Sequence, residues 1–218
     1  ELRSVVTDHI QTVMTRYRGS VDRWDVVNEP LETLGSEPYD NHFRKILGVD
    51  YIAEMFAIAH KTNPEARLFL NEATVEFLPD KAAALVAMVK ELLDRGEPLD
   101  GVGIQAHIVA GTIDSAVLRL LINDLEQLGV EVAITELDVP ATASSDPLAV
   151  QADTYGQTLS ACLEEDCREV TLWGFTDRYT WVDKAFGPGL APLPFDRDYK
   201  PKPALAAIRE RISAIPSS

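Results

Sequence analysis

Two glutamates and their neighbours are the residues best suited to chemistry. Glu29 stands in Asn28-Glu29-Pro30 and Glu136 in Thr135-Glu136-Leu137, 107 positions further on. Each closes a short apolar run, WDVV before the first and EVAI before the second. Two carboxylates delivered from separate strands to one rim suit the hydrolysis of a glycosidic bond. One gives a proton to the leaving oxygen and later takes one from water, while the other attacks the anomeric carbon. The two must be unlike: the acid keeps its proton near neutral pH and the nucleophile stays ionised. A lone glutamate after a strand is ordinarily a helix-start or solvated charge. Here other polar residues share the same kind of position. Asn71 follows RLFL, Gln105 and His107 end GVGIQAH, Asp138 follows Glu136 by two, and Trp173 lies in EVTLWGFT.

The elements that must position them follow from periodicity. Apolar residues at helical spacing predict helices over 3–18, 49–62, 79–95, 113–128, 147–166 and 203–214. Gly19, Asn63-Pro64, Gly96 and Gly129 act as stops. Short apolar runs predict strands over 24–28, 67–71, 101–107, 131–137 and 169–176, with a long loop over 177–200. Strands alternating with helices predict right-handed βαβ units and a parallel sheet. In a parallel barrel the C-terminal rim of the strands is where an active site is assembled, which is where the polar residues fall. No glycine-rich phosphate fingerprint follows any strand, so a dinucleotide fold has no support. Trp24, inside a strand, reads as core.

The chain has 218 residues, of which 46% are hydrophobic and 25% charged, so it can bury a core. Its formal charge of −15 repels phosphate backbones and argues against nucleic acid as a partner. No apolar run approaches the roughly 18 residues of a membrane span. No basic and apolar leader opens the sequence, so no signal peptide is visible. His9, His42, His60 and His107 are scattered without ligand spacing, so metal catalysis is not indicated. Cys162 and Cys167 lie five apart at a predicted helix end. A disulfide and two buried free thiols both remain open for them.

TRYRGSVDRWDVVNEP at 15–30 and VEVAITELDV at 130–139 resemble the two signature segments of glycoside hydrolase family 10. GVGIQAH at 101–107, VTLWGFTDRYTW at 170–181 and PLPFDRDYKPKPA at 192–204 resemble further segments of that family, in the same order along the whole chain. The resemblance implies a (β/α)8 TIM-barrel type of fold, reduced to strands 4–8, with residues 1–218 as one catalytic domain lacking the first three βα units. It implies a retaining endo-β-1,4-xylanase that needs no cofactor and acts on xylan or xylo-oligosaccharides. Glu29 matches the acid/base and Glu136 the nucleophile. Asn28 matches the group that binds the sugar 2-hydroxyl, Asn71 keeps a rim position, and Gln105 and His107 match the pair beside the nucleophile. Trp173 and Trp181 match the aromatic surfaces of the glycone subsites, and Asp138 is read as a support for His107 or a neighbour. The family often carries a disulfide near Cys162 and Cys167, and its members imply a secreted location.

The sequence also departs from the family. The first three units normally supply a Lys, an Asn, a His and a Trp that grip the glycone sugar, and no residue here replaces them by position. A partial barrel exposes sheet edges, which favours self-association. The run NEATVE at 71–76 stands where an Asp-Tyr-Asn run is usual, and Glu76 reads by default as a solvated loop charge. An active hydrolase is therefore weighed against a xylan-binding partial barrel with weak or no turnover, and against another barrel glycosidase such as a cellulase or mannanase.

Overall fold

The computed structural model describes residues 1–142, 144–165, 167 and 169–214. In chain order they form α1 (Leu2–Arg16), β1 (Arg23–Asn28), α2 (His42–Leu47), α3 (Tyr51–Thr62), β2 (Arg67–Glu72), α4 (Pro79–Asp94) and β3 (Gly101–Ile104). There follow α5 (Ser115–Glu126), β4 (Glu131–Leu137), α6 (Pro147–Glu164), β5 (Val170–Leu172), a 3-10 turn (Asp177–Tyr179), α7 (Val182–Phe186) and α8 (Pro203–Ser213). The strands make a parallel sheet in sequence order, β1-β2-β3-β4-β5. The chain divides into two compact units, Glu1–Ile104 with Asp124–Val132, and Gln105–Asn123 with Ala133–Ser218.

In the first unit β2 is buried along nearly its whole length, which is why RLFL carries no polar alternation. Its register sets Asn71 opposite Asn28 on one side and Phe69 opposite Gly101 on the other. That second pairing explains the glycine. A Cβ at Gly101 would sit 2.3 Å from ring carbons of Phe69, so the ring occupies the space a side chain would need. Helix α4 starts on Pro79, whose missing N–H costs nothing in a first turn. It buries Lys81, Leu85, Val89 and Leu92 on one stripe, and Gly96 follows its end at φ +76°.

In the second unit α6 is opened by Asp146, whose carboxylate accepts the Ala149 N–H at 3.1 Å, with Pro147 at the first helical position. Helix α8 packs against α6 and buries Ala204 and Ile208. Cys162, at the end of α6, is joined to Cys167 by a disulfide. Among the described residues no helix is long and apolar enough to cross a membrane.

Several expectations change. The third strand ends at Ile104 and not at His107, because Ala106 adopts φ 59° and leaves the extended region. The fifth spans Val170–Leu172 and not 169–176, since Gly174 at φ 118° turns the chain away. The region 177–200 is not all loop: it holds the 3-10 turn and α7. Helix α2 lies in a stretch where periodicity predicts no element; Asn41 caps it by accepting the Arg44 N–H at 2.9 Å, and Gly48 ends it at φ 97°. Trp24 is only half-buried, beside Tyr17 at 6.4 Å between ring centroids. Glu76 is 1% exposed, so it is no solvated charge.

Gly101→Ala is expected to destabilise the protein by about 1–3 kcal/mol through overpacking against Phe69. Phe69→Leu in the same background should recover part of that loss, read from urea denaturation midpoints.

Candidate functional site

In the first unit three predicted residues come together at the ends of β1 and β2. The Asn71 amide Nδ2 donates to Asn28 Oδ1 at 2.8 Å, and the Asn71 carbonyl accepts the Glu29 N–H at 2.9 Å. Glu29 has left the ladder geometry. Its φ is 51°, a left-handed conformation that an L-residue adopts at a cost of about 1–2 kcal/mol. The neighbouring Glu72, at the end of β2, is fully buried. Its Oε2 accepts the Leu31 N–H at 3.0 Å, and its Oε1 accepts the Ala73 N–H at 2.9 Å. Lys81 Nζ lies 2.9 Å from the same Oε1 with both side chains dry. Burial pushes the Glu72 carboxyl upward, while Lys81 and the Leu31 N–H act against that push. Lys81 also donates to Thr74 Oγ1 at 3.1 Å and to the Thr33 carbonyl at 3.4 Å.

In the second unit the structure gathers Gln105, His107, Glu136, Asp138, Trp173 and Trp181. The Gln105 carbonyl accepts the Glu136 N–H at 3.0 Å, and the Asp138 carbonyl accepts the Ile108 N–H at 2.9 Å. The left-handed Ala106 lies between Gln105 and His107, so their peptide path bends at that point. His107 then stands between two carboxylates. Its Nδ1 is 3.0 Å from Asp138 Oδ1 and its Nε2 is 3.3 Å from Glu136 Oε2. Burial lowers the affinity of His107 for a proton, but hydrogen bonds to Asp138 and Glu136 outweigh it and raise its pKa to about 9. At neutral pH the ring carries both protons and donates on both sides.

Asp138 is completely buried and serves two partners, since its Oδ2 accepts the Trp181 indole N–H at 2.6 Å. Trp181 meets the edge of His107 at 4.9 Å between centroids, and Trp173 lies at 6.2 Å. Trp173 is 48% exposed, so its ring is free to stack on the apolar face of a sugar. A second buried ion pair anchors the segment around Trp181. Lys202 Nζ lies 3.0 Å from Asp177 Oδ2 and donates to the Ala191 carbonyl at 2.6 Å, while Asp177 Oδ1 accepts the Leu193 N–H at 2.8 Å.

The sequence places Glu72 beside Asn71 at a strand end, but sequence reading missed Lys81, Lys202 and Asp177. For Lys81 a signal existed: it shares the i, i+4, i+8 stripe with the buried Leu85 and Val89. Lys202 lies in a proline-rich segment without periodicity and gave none.

Comparison with known proteins agrees with this picture. The profile of glycosyl hydrolase family 10 matches residues 1–211. Endo-1,4-beta-xylanase C of Phanerodontia chrysosporium is 38% identical over 217 residues, 98% of this chain and 54% of that protein. Endo-1,4-beta-xylanase B of Thermotoga neapolitana is 36% identical over 215 residues, 96% of this chain and 62% of that protein. The crystal structure of native xylanase 10B from Thermotoga maritima superposes with a TM-score of 0.90 at 34% identity, covering 98% of this chain and 67% of that one. Xylanase 10B from Thermotoga petrophila RKU-1, solved with xylobiose, gives 0.90 and 34%, covering 98% and 66%. The chain thus spans about half to three-fifths of these curated relatives, and its α/β fold is that of a partial TIM barrel. With its motifs in order, its sheet matched and its whole length but the last few residues covered by the profile, the chain belongs to glycosyl hydrolase family 10.

Proposed function

We propose that residues 1–218 act as the part of a secreted endo-β-1,4-xylanase that carries its reacting groups, with retention of configuration. The observation that supports this most is His107, its Nδ1 3.0 Å from Asp138 and its Nε2 3.3 Å from Glu136, beside the exposed ring of Trp173. That arrangement orients one carboxylate towards a neutral, ring-shaped substrate.

In the proposed reaction a Glu136 oxygen attacks the anomeric carbon as the glycosidic C–O bond breaks, and the Glu29 proton passes to the leaving oxygen. A water then gives its proton to Glu29 and its oxygen to the anomeric carbon, which releases Glu136. Asn28, held by Asn71, would bind the sugar 2-hydroxyl, and Gln105 would line the glycone side with Trp173 and Trp181. The second reading, a xylan-binding partial barrel with weak or no turnover, is favoured by the exposed ring of Trp173, which offers a stacking surface whether or not a bond is cleaved. Self-association through the outermost strands β1 and β5 belongs to the same proposal, and sedimentation of the chain as a monomer at micromolar concentration would remove it.

Hydrolysis of an aryl β-xylobioside is the direct test. Turnover is expected to vanish in Glu136→Ala while far-ultraviolet circular dichroism is unchanged. Glu29→Ala should lose ~10²–10⁴-fold on poorly activated substrates. Equal rates in the wild type and Glu136→Ala would sink the hydrolase reading, and affinity for xylotriose without turnover would favour the binding one.

The charge on His107 also makes stability depend on pH. Its folded pKa is raised from 6.5 to about 9, so its contribution is complete below pH 6.5 and disappears as pH rises through 9. The loss is on the order of 3 kcal/mol. Urea denaturation at pH 6 and pH 9.5 should show that fall in the wild type and a much smaller one in His107→Asn.

A further inference from the structure

The buried pair of Glu72 and Lys81 takes no part in the chemistry above, yet every hydrogen bond it makes ends on the segment that follows Glu29 or on the chain facing it. Glu72 accepts from the Leu31 N–H, two residues past Glu29. Lys81 donates to the Thr33 carbonyl, four residues past it, and to Thr74 Oγ1. Thr74 in turn donates to the same Thr33 carbonyl at 2.7 Å. On the other side of Glu29, Asn71 holds both the Asn28 side chain and the Glu29 N–H. Residues 28, 29, 31 and 33 are therefore fixed one after another by residues 71, 72, 74 and 81.

Such a clamp has a physical purpose. Glu29 sits at φ 51°, and an isolated chain would relax it to an extended or right-handed conformation. Rotation about φ and ψ at one residue redirects its carboxyl by several ångströms relative to the strand. An ion pair with 0–1% of its side-chain surface exposed is a costly way to gain stability, because desolvation offsets most of the attraction. It is an effective way to fix geometry, since neither partner can turn to water.

We propose that Glu72 and Lys81 are a positioning pair that locks the Glu29 backbone in its left-handed conformation and so aims the Glu29 carboxyl. This rests on the reading of Glu29 as the acid/base. The pair does not touch substrate; it acts through Leu31 and Thr33.

Lys81→Met alone strands a buried carboxylate and risks unfolding. The double variant Glu72→Leu/Lys81→Met removes both charges and keeps apolar volume, so it is the working variant. Two readouts decide. Amide hydrogen exchange at Glu29 and Leu31 should speed up at least ~10-fold, the scale on which one lost hydrogen bond alters local opening, while Val27 and Leu70 keep their protection. In steady-state kinetics, kcat/KM for xylotetraose, whose leaving group needs a proton, should fall by ~10²-fold, the cost of an ångström of misplacement. The same ratio for 2,4-dinitrophenyl β-xylobioside, whose leaving group needs none, should hold within twofold. Unchanged exchange at Glu29 and Leu31 overturns the inference, and so does an equal fall for both substrates. A wild type inactive on both substrates defeats the proposed reaction instead, and the exchange comparison then still decides whether the pair holds Glu29.

Discussion

A parallel ladder satisfies backbone groups only along its own length. Where a strand ends, the chain must turn away towards the next helix, and its N–H and C=O groups lose their neighbours at once. In this protein those groups are taken up by buried side chains. Glu72 receives Leu31, and Asp177 receives Leu193. Gln151 donates to the carbonyls of Val139 and Ala191, and the Tyr155 hydroxyl donates to that of Pro192. The loops that carry Glu29 and Trp181 are ordered because polar groups inside the protein reach out to them. The candidate reacting groups thus depend on residues that never face a substrate.

The two buried ammonium groups illustrate how this is balanced. Burial pulls the Lys202 pKa down, and Asp177 pulls it back up. Burial pushes Glu72 up, and Lys81 with the Leu31 N–H restrains it. In each case the partner and the backbone donors together keep an ionic arrangement in a place where a single charge would be rejected. His107 follows the same rule with the sign of the outcome reversed, since two carboxylates against one imidazole overcome burial altogether.

Much of this was legible in the sequence where periodicity is long or punctuation strong. Helix α4 is marked by Pro79 and Gly96, β2 by RLFL, and α6 by Asp146-Pro147. Asn28, Glu29, Asn71, Glu136 and His107 stand out as polar residues at or near the ends of apolar runs. What was not legible has local causes. The ends of β3 and β5 are set by the left-handed Ala106 and by Gly174, and alanine carries no sign of such a conformation. Helices α2 and α7 have six and five residues, too few for a period to show. Lys81 and Lys202 belong to the residue type most often exposed, so only their partners in space reveal them as buried. The double duty of Asp138 reaches His107, 31 residues before it, and Trp181, 43 residues after it, which no local pattern encodes.

The ionic anchors have a thermal consequence. Hydration of charged groups becomes less favourable as temperature rises, so the cost of keeping an ammonium and a carboxylate dry shrinks on heating, while the gain from apolar burial levels off. The loops tied down by Lys81 and Lys202 therefore hold their shape relatively better in warm water than segments tied down by apolar contact alone. Helix α1 has no such dry anchor: it fully buries only Met14, and the ion pair of its Arg3 with Glu54 lies at the surface. Heat should fray the chain from such margins inwards and leave the ground under Glu29 and Trp181 among the last parts to soften.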